Sequence, residues 1–87
     1  MSQTQEILIS TIKNDFNEEP KVMILDPRND GIHLEAIVIS EEFNTLSLVK
    51  RHQMVMKALK EPFATFLHAL ALKTFTPEEW KQQNKDL

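Results

Sequence analysis

Eighty-seven residues, 41% hydrophobic and 26% charged with one Gly and four Pro, make one small folded domain and exclude both a multidomain enzyme and a low-complexity chain. The absence of Cys excludes a disulfide framework, a thiolate nucleophile and any zinc or iron–sulfur site built from this chain's own sulfur. The net charge of −3 divides into nine acidic against three basic side chains over residues 1–45 and four against seven over residues 46–87, an excess too small for a broad nucleic-acid-binding face.

The N-terminal segment has no basic residue before its first apolar cluster, so neither a secretory nor a transit signal is expected. No apolar run approaches the roughly 20 residues of a membrane span, and a cytoplasmic protein without membrane attachment is the expectation. Ser2 with Gln5 fits a capping box, and Leu8, Ile9, Ile12 and Phe16 recur at helical spacing, which predicts a first amphipathic helix ending near Asn17, ahead of Pro20. Lys21 to Asp26 predicts a strand, Pro27-Arg28-Asn29-Asp30-Gly31 a turn, and the β-branched run from Ile32 to Ser40 a second strand of the same hairpin. On that strand Ile32, Leu34, Ala36 and Val38 share one face, and His33, Glu35, Ile37 and Ile39 the other.

Ser40 to Phe43 predicts a short helical turn, after which Asn44-Thr45 or Ser47 can cap a longer helix from about Leu46 to Lys60. Its expected inner stripe is Leu48, His52, Val55, Met56 and Leu59, with Lys50, Arg51, Lys57 and Lys60 largely outside and Pro62 as its end. Phe66 to Lys73 predicts a third strand. Thr76-Pro77-Glu78-Glu79 then joins a capping Thr, a Pro at the first helical position and a Glu three residues past the cap, so a last helix carries Trp80. The expected fold class is α/β in the α+β sense: one domain over residues 1–87, element order α-β-β-α-α-β-α, a three-stranded sheet with helices packed on it.

Catalytic chemistry finds little support. There is no Tyr, no Gly-rich phosphate loop and no His-Glu-x-x-His pair, and the serines lack elbow-like flanking glycines. Glu18-Glu19, Glu41-Glu42 and Glu78-Glu79 each stand at an element end, where solvated or helix-start charge is the simpler account. Of the histidines, His52 on the apolar stripe is expected to be structural and His33 to sit half-exposed at the hairpin mouth. His68 interrupts an otherwise apolar strand, where a Leu or Val would cost less unless the ring is used.

Three stretches in order carry a resemblance. Gly31-Ile32-His33-Leu34 leads into Val38-Ile39-Ser40-Glu41-Glu42-Phe43; Arg51-His52-Gln53-Met54-Val55 is followed by Ala58-Leu59; His68-Ala69-Leu70-Ala71-Leu72 precedes Thr74-Phe75-Thr76-Pro77-Glu78-Glu79-Trp80. Together they resemble the BolA family over about residues 7–80, which implies a topology similar to class II KH domains. The resemblance further implies a non-enzymatic adaptor in iron–sulfur trafficking or iron sensing. Its partner would be a monothiol glutaredoxin, which with glutathione supplies sulfur to a bridged [2Fe–2S] cluster while this chain supplies nitrogen; alone, the chain would hold none. By family position His68 matches the C-terminal ligand histidine, His33 the histidine opening the second strand, and His52 that of the Arg-His helix motif. The family's other ligand, a Cys or His in the hairpin loop, has no counterpart in residues 26–31. His33 is the nearest substitute, with an aspartate or no second ligand as alternatives.

The competing reading is a DNA-binding transcriptional regulator, linked to stress response, that uses Lys50, Arg51, Lys57 and Lys60 of helix 46–60. A KH-type G-x-x-G loop is impossible with Gly31 alone, so only weak, salt-labile DNA contact is expected. A metal-free interaction module that keeps the glutaredoxin is a third reading. The free protein is expected as a monomer or weak homodimer.

Overall fold

The computed structural model describes residues 3–67 and 69–84. Leu8 and Ile12 are fully buried on helix α1 (Gln3–Lys13), one turn apart, and Phe16 follows them into the core. Ser2, the expected cap of this helix, lies outside the described residues. Strands β1 (Lys21–Leu25) and β2 (His33–Ile39) pair antiparallel from Lys21 opposite Ile39 to Leu25 opposite Glu35. Strand β3 (Ala69–Phe75) pairs parallel to β2, from His33 opposite Ala69 to Ile39 opposite Phe75, so β2 is central in the order β1-β2-β3. Alternation does what the sequence requires of it. Val22, Ile24, Leu34, Ala36 and Val38 face the helices and are buried, while Met23, Glu35 and Ile37 on the opposite face are only partly covered.

A 3-10 turn follows β2 over Glu41–Thr45, started by the Glu42 N–H donating to Ser40 Oγ (3.0 Å). It inserts Phe43 into the core edge-on to Phe16, with ring centroids 5.6 Å apart. Of the candidate caps for the long helix, Ser47 is the one used: its Oγ accepts from the Lys50 N–H (3.3 Å) at the start of α2 (Leu48–Ala58).

The inner face of α2 differs from the expected stripe. Arg51 and Val55 are buried on it and Leu59 follows them, whereas Leu48 is 63% and Met56 39% exposed and His52 is also exposed. Val55 and Leu59 belong to both faces, so the helix is turned by roughly half of the 100° between successive residues, away from Leu48 and Met56 and toward Arg51. Arg51 is tolerated inside because each of its three guanidinium nitrogens has a hydrogen-bond partner, as set out below. His52→Ala is accordingly expected to change stability by no more than about 0.5 kcal/mol, the usual range for an exposed position. Urea titration of the variant checks this; a loss above about 2 kcal/mol would return the imidazole to the core.

Pro62 does not end the helical region. It sits in the first turn of a further helix, α3 (Lys60–Thr65), where a missing backbone N–H costs nothing. The N–H groups of Phe66 and Leu67 then both donate to the Pro62 carbonyl, at 2.9 and 2.7 Å. This closing turn keeps Phe66 and Leu67 out of the sheet, so β3 begins at Ala69 rather than Phe66 and continues to Phe75 rather than Lys73. Helix α4 (Pro77–Asn84) opens with a reciprocal capping box: the Glu79 N–H donates to Thr76 Oγ1 (3.1 Å) and the Thr76 N–H to Glu79 Oε1 (2.8 Å). Among the described residues no helix is long and apolar enough to cross a membrane.

Candidate functional site

The connection between β1 and β2 is organised by two carboxylates. Asp26 accepts from the backbone N–H groups of Asp30 (3.2 Å) and Gly31 (2.9 Å), while its own carbonyl accepts from the Asn29 N–H (3.0 Å). Asn29 and Gly31 adopt φ of 52° and 69°, the left-handed region that Asn tolerates and Gly enters freely. Asp30 Oδ1 then accepts from the N–H groups of Ile32 (2.9 Å) and His33 (3.0 Å), and its Oδ2 lies 2.8 Å from His33 Nδ1. The His33 ring bond, followed by these backbone bonds, holds the Asp30 carboxyl well below its ordinary value of 3.8.

An ionised carboxylate only accepts, so the proton of this bond resides on His33 Nδ1. In the neutral ring Nε2 then carries a lone pair, and among the described residues it has no partner. The His33 side chain is 49% exposed. An exposed imidazole oriented through its other nitrogen by a carboxylate is the arrangement that presents nitrogen to a metal. Asp30 was not singled out by spacing as a partner of His33, yet Asp-x-x-His across a Gly-containing turn is the readable signal: the carboxylate that closes the turn is also within reach of the ring.

His68 lies outside the described residues, and its predicted role with it. Its sequence neighbour Ala69 is the register partner of His33. Among the described residues no three His, Cys, Asp or Glu side chains gather to hold a metal ion. Among the described residues the oriented imidazole is that of His33, so any iron–sulfur cluster held here would need its sulfur from elsewhere.

The basic set divides. Lys50, Lys57 and Lys60 are exposed and form no ion pair among the described residues. Arg51 is only 7% exposed and is removed from any partner-binding surface. Its Nη1 and Nη2 donate to the two oxygens of Glu79 (2.8 and 3.4 Å), its Nε donates to the Leu46 carbonyl (3.1 Å), and the guanidinium stands 5.7 Å from the centre of the Phe43 ring. Arg51 therefore ties α2, the 3-10 turn and the cap of α4 together, and this tie stands at the end of β3 opposite to Ala69. The Glu79 carboxyl is lowered from its usual 4.5 by the Arg51 bond first and the Thr76 N–H second.

The family model for BolA-like proteins matches residues 7–79. The chain is 41% identical over 58 residues to a Haemophilus influenzae protein named DNA-binding transcriptional regulator BolA, a match covering 67% of this chain and 56% of that one. A protein of the same name from Vibrio cholerae is 32% identical over 88 aligned positions, covering 94% of this chain and 83% of its own. Among solved structures, BolA1 from Arabidopsis thaliana superposes with a TM-score of 0.76 at 28% identity, covering 91% of this chain and 98% of that one.

Proposed function

This chain belongs to the BolA-like protein family, and we propose that within it the protein acts as a non-enzymatic adaptor that shares a bridged [2Fe–2S] cluster with a monothiol glutaredoxin and glutathione. The observation that carries this reading is the exposed His33 ring, fixed through Nδ1 by Asp30 with Nε2 unengaged. When bound, the cluster would supply the chemistry of iron–sulfur trafficking or iron sensing; this chain's part is to offer neutral imidazole, an established ligand of [2Fe–2S] irons. His68 is the second nitrogen donor in this reading, following family position. Asp30 is a positioning residue, since it fixes the tautomer and orients the ring.

The experiment is anaerobic reconstitution of the chain with a monothiol glutaredoxin, glutathione, iron and sulfide, read by visible absorption and circular dichroism. The mixture develops cluster bands that the chain alone does not. His68→Ala abolishes the bands specific to the heterocomplex, and His33→Ala shifts them and shortens their lifetime, while both variants keep the far-ultraviolet signature of the fold. Bands unchanged in both variants would leave the metal-free interaction module as the better account.

The names of the bacterial relatives favour one further reading, a DNA-binding regulator. With Arg51 buried, its contacts reduce to Lys50, Lys57 and Lys60, whose three charges limit the salt dependence of log K to a slope of about −3. A steeper slope together with sequence-selective binding at physiological salt would move this reading ahead of the adaptor.

A further inference from the structure

Strand β3 has β2 on one side and, among the described residues, no strand on the other. The Phe75 carbonyl accepts from the Ser40 N–H (3.0 Å) and so points toward β2; by alternation the main-chain groups of Lys73, Ala71 and Ala69 do the same. The N–H and C=O groups of Leu70, Leu72 and Thr74 therefore point away from the sheet, and no hydrogen bond among the described residues meets them. At the outer edge of β1, a strand in contact with α1, Gln5 Nε2 donates to the Ile24 carbonyl (2.9 Å).

Free edges are normally defended by Pro, a bulge or an unpaired charge. The seven residues of β3 contain neither Pro nor Gly, and their one charge, Lys73, is tied down on the sheet face by Glu35 (3.3 Å). Leu70 and Leu72 in the outward-facing row are only half-buried, whereas Thr74 is 6% exposed and carries a buried Oγ1 without a hydrogen-bond partner. We propose that this edge pairs antiparallel with β3 of a second copy of the chain, joining two three-stranded sheets into one of six strands.

A second copy fits because the edge is complementary to itself. With the two-fold axis at Leu72, Leu72 faces the partner's Leu72 and Leu70 faces the partner's Thr74, so each outward residue meets an outward residue. Lys73 then stands opposite the partner's Ala71 rather than opposite another lysine, and like charges are kept apart. The pairing also closes: a two-fold contact uses the same edge on both copies, so β3 of each is fully paired once two have joined.

The test is sedimentation of the intact chain from low micromolar to near-millimolar concentration, combined with residue-resolved amide exchange. A monomer–dimer equilibrium is expected, with the amides of Leu70, Leu72 and Thr74 slowing about tenfold or more as the dimer forms. The amides of Ala71 and Lys73, already bonded to β2, stay slow throughout. Two variants probe the edge. Leu72→Pro deletes an outward N–H without breaking the β2 ladder. Ala71→Lys, at an exposed position, sets lysine against the partner's Lys73 and keeps the proposal testable if the first variant unfolds. Both abolish or weaken association, the second in a salt-sensitive way. A chain that remains monomeric at the highest concentration, a dimer that leaves the three amides unprotected, or an Ala71→Lys protein that associates like the parent would each overturn the proposal.

Discussion

Phe43→Ala is expected to cost about 3–5 kcal/mol, the range for emptying a fully buried aromatic site. The ring is completely enclosed, holds Phe16 edge-on, and lies against the Arg51 guanidinium, so the void left behind has walls contributed by segments distant in sequence. Such walls collapse poorly. A domain of this size has a total stability of about 5–15 kcal/mol, and the loss corresponds to a fall in Tm of at least about 12 °C. Thermal unfolding followed by circular dichroism checks it. Phe43→Leu, which keeps most of the apolar volume, should recover more than half of the loss, and a Tm change below about 4 °C in the alanine variant would contradict the packing described.

Arg51→Ala is the second large effect, at about 2–4 kcal/mol. The guanidinium makes three charge-assisted or carbonyl-directed bonds from a buried position, and bonds to charged groups contribute about 1.5–3 kcal/mol each before their partners rehydrate. Glu79 is 48% exposed and regains water when Arg51 is removed, which holds the cost below that of a fully buried broken pair. Arg51→Met, which refills the volume without the charge, should fall well short of the alanine loss. The pair also sets an acid limit. Because the folded Glu79 carboxyl lies below its unfolded value of 4.5, its contribution is present in full above that value and disappears as pH falls through the folded one. Tm measured against pH for the parent and for Glu79→Gln should therefore differ at neutral pH and converge on acidification below about 4.5; parallel curves would mean that ionisation of Glu79 does not contribute.

Where local rules and tertiary demands agree, the chain is legible from its sequence. Leu34, Ala36 and Val38 alternate inward, the Asp26 to Ile32 segment turns, and Thr76 to Glu79 forms a capping box, because each depends on neighbours a few residues away. The orientation of α2 is not legible in this way. Apolar spacing favours Leu48 and Met56 over an arginine, and what reverses the choice is Glu79, 28 residues distant in sequence and already held by its own cap. Pro62 misleads for a related reason, since a proline that ends one helix and a proline in the first turn of the next look alike until the break at Leu59 is known. In the candidate site, His33 is legible through resemblance, whereas the nitrogen it has free is legible only once Asp30 is seen to close the turn on the ring.

The mixed pairing of β2 also orders the assembly of the chain in time. Seven residues separate β1 from β2, and 29 separate β2 from β3, so closing the second connection costs about 1.3 kcal/mol more in chain entropy if both were structureless. That difference is small beside the work of forming the 3-10 turn, α2 and α3 within the longer connection before β3 can reach its place. The β1–β2 hairpin is therefore the early unit and β3 the late one. Until β3 docks, β2 offers the run Ala36-Ile37-Val38-Ile39 along an unpaired edge, so slower docking of β3 is expected to leave a newly made chain open for longer to association through the wrong strand.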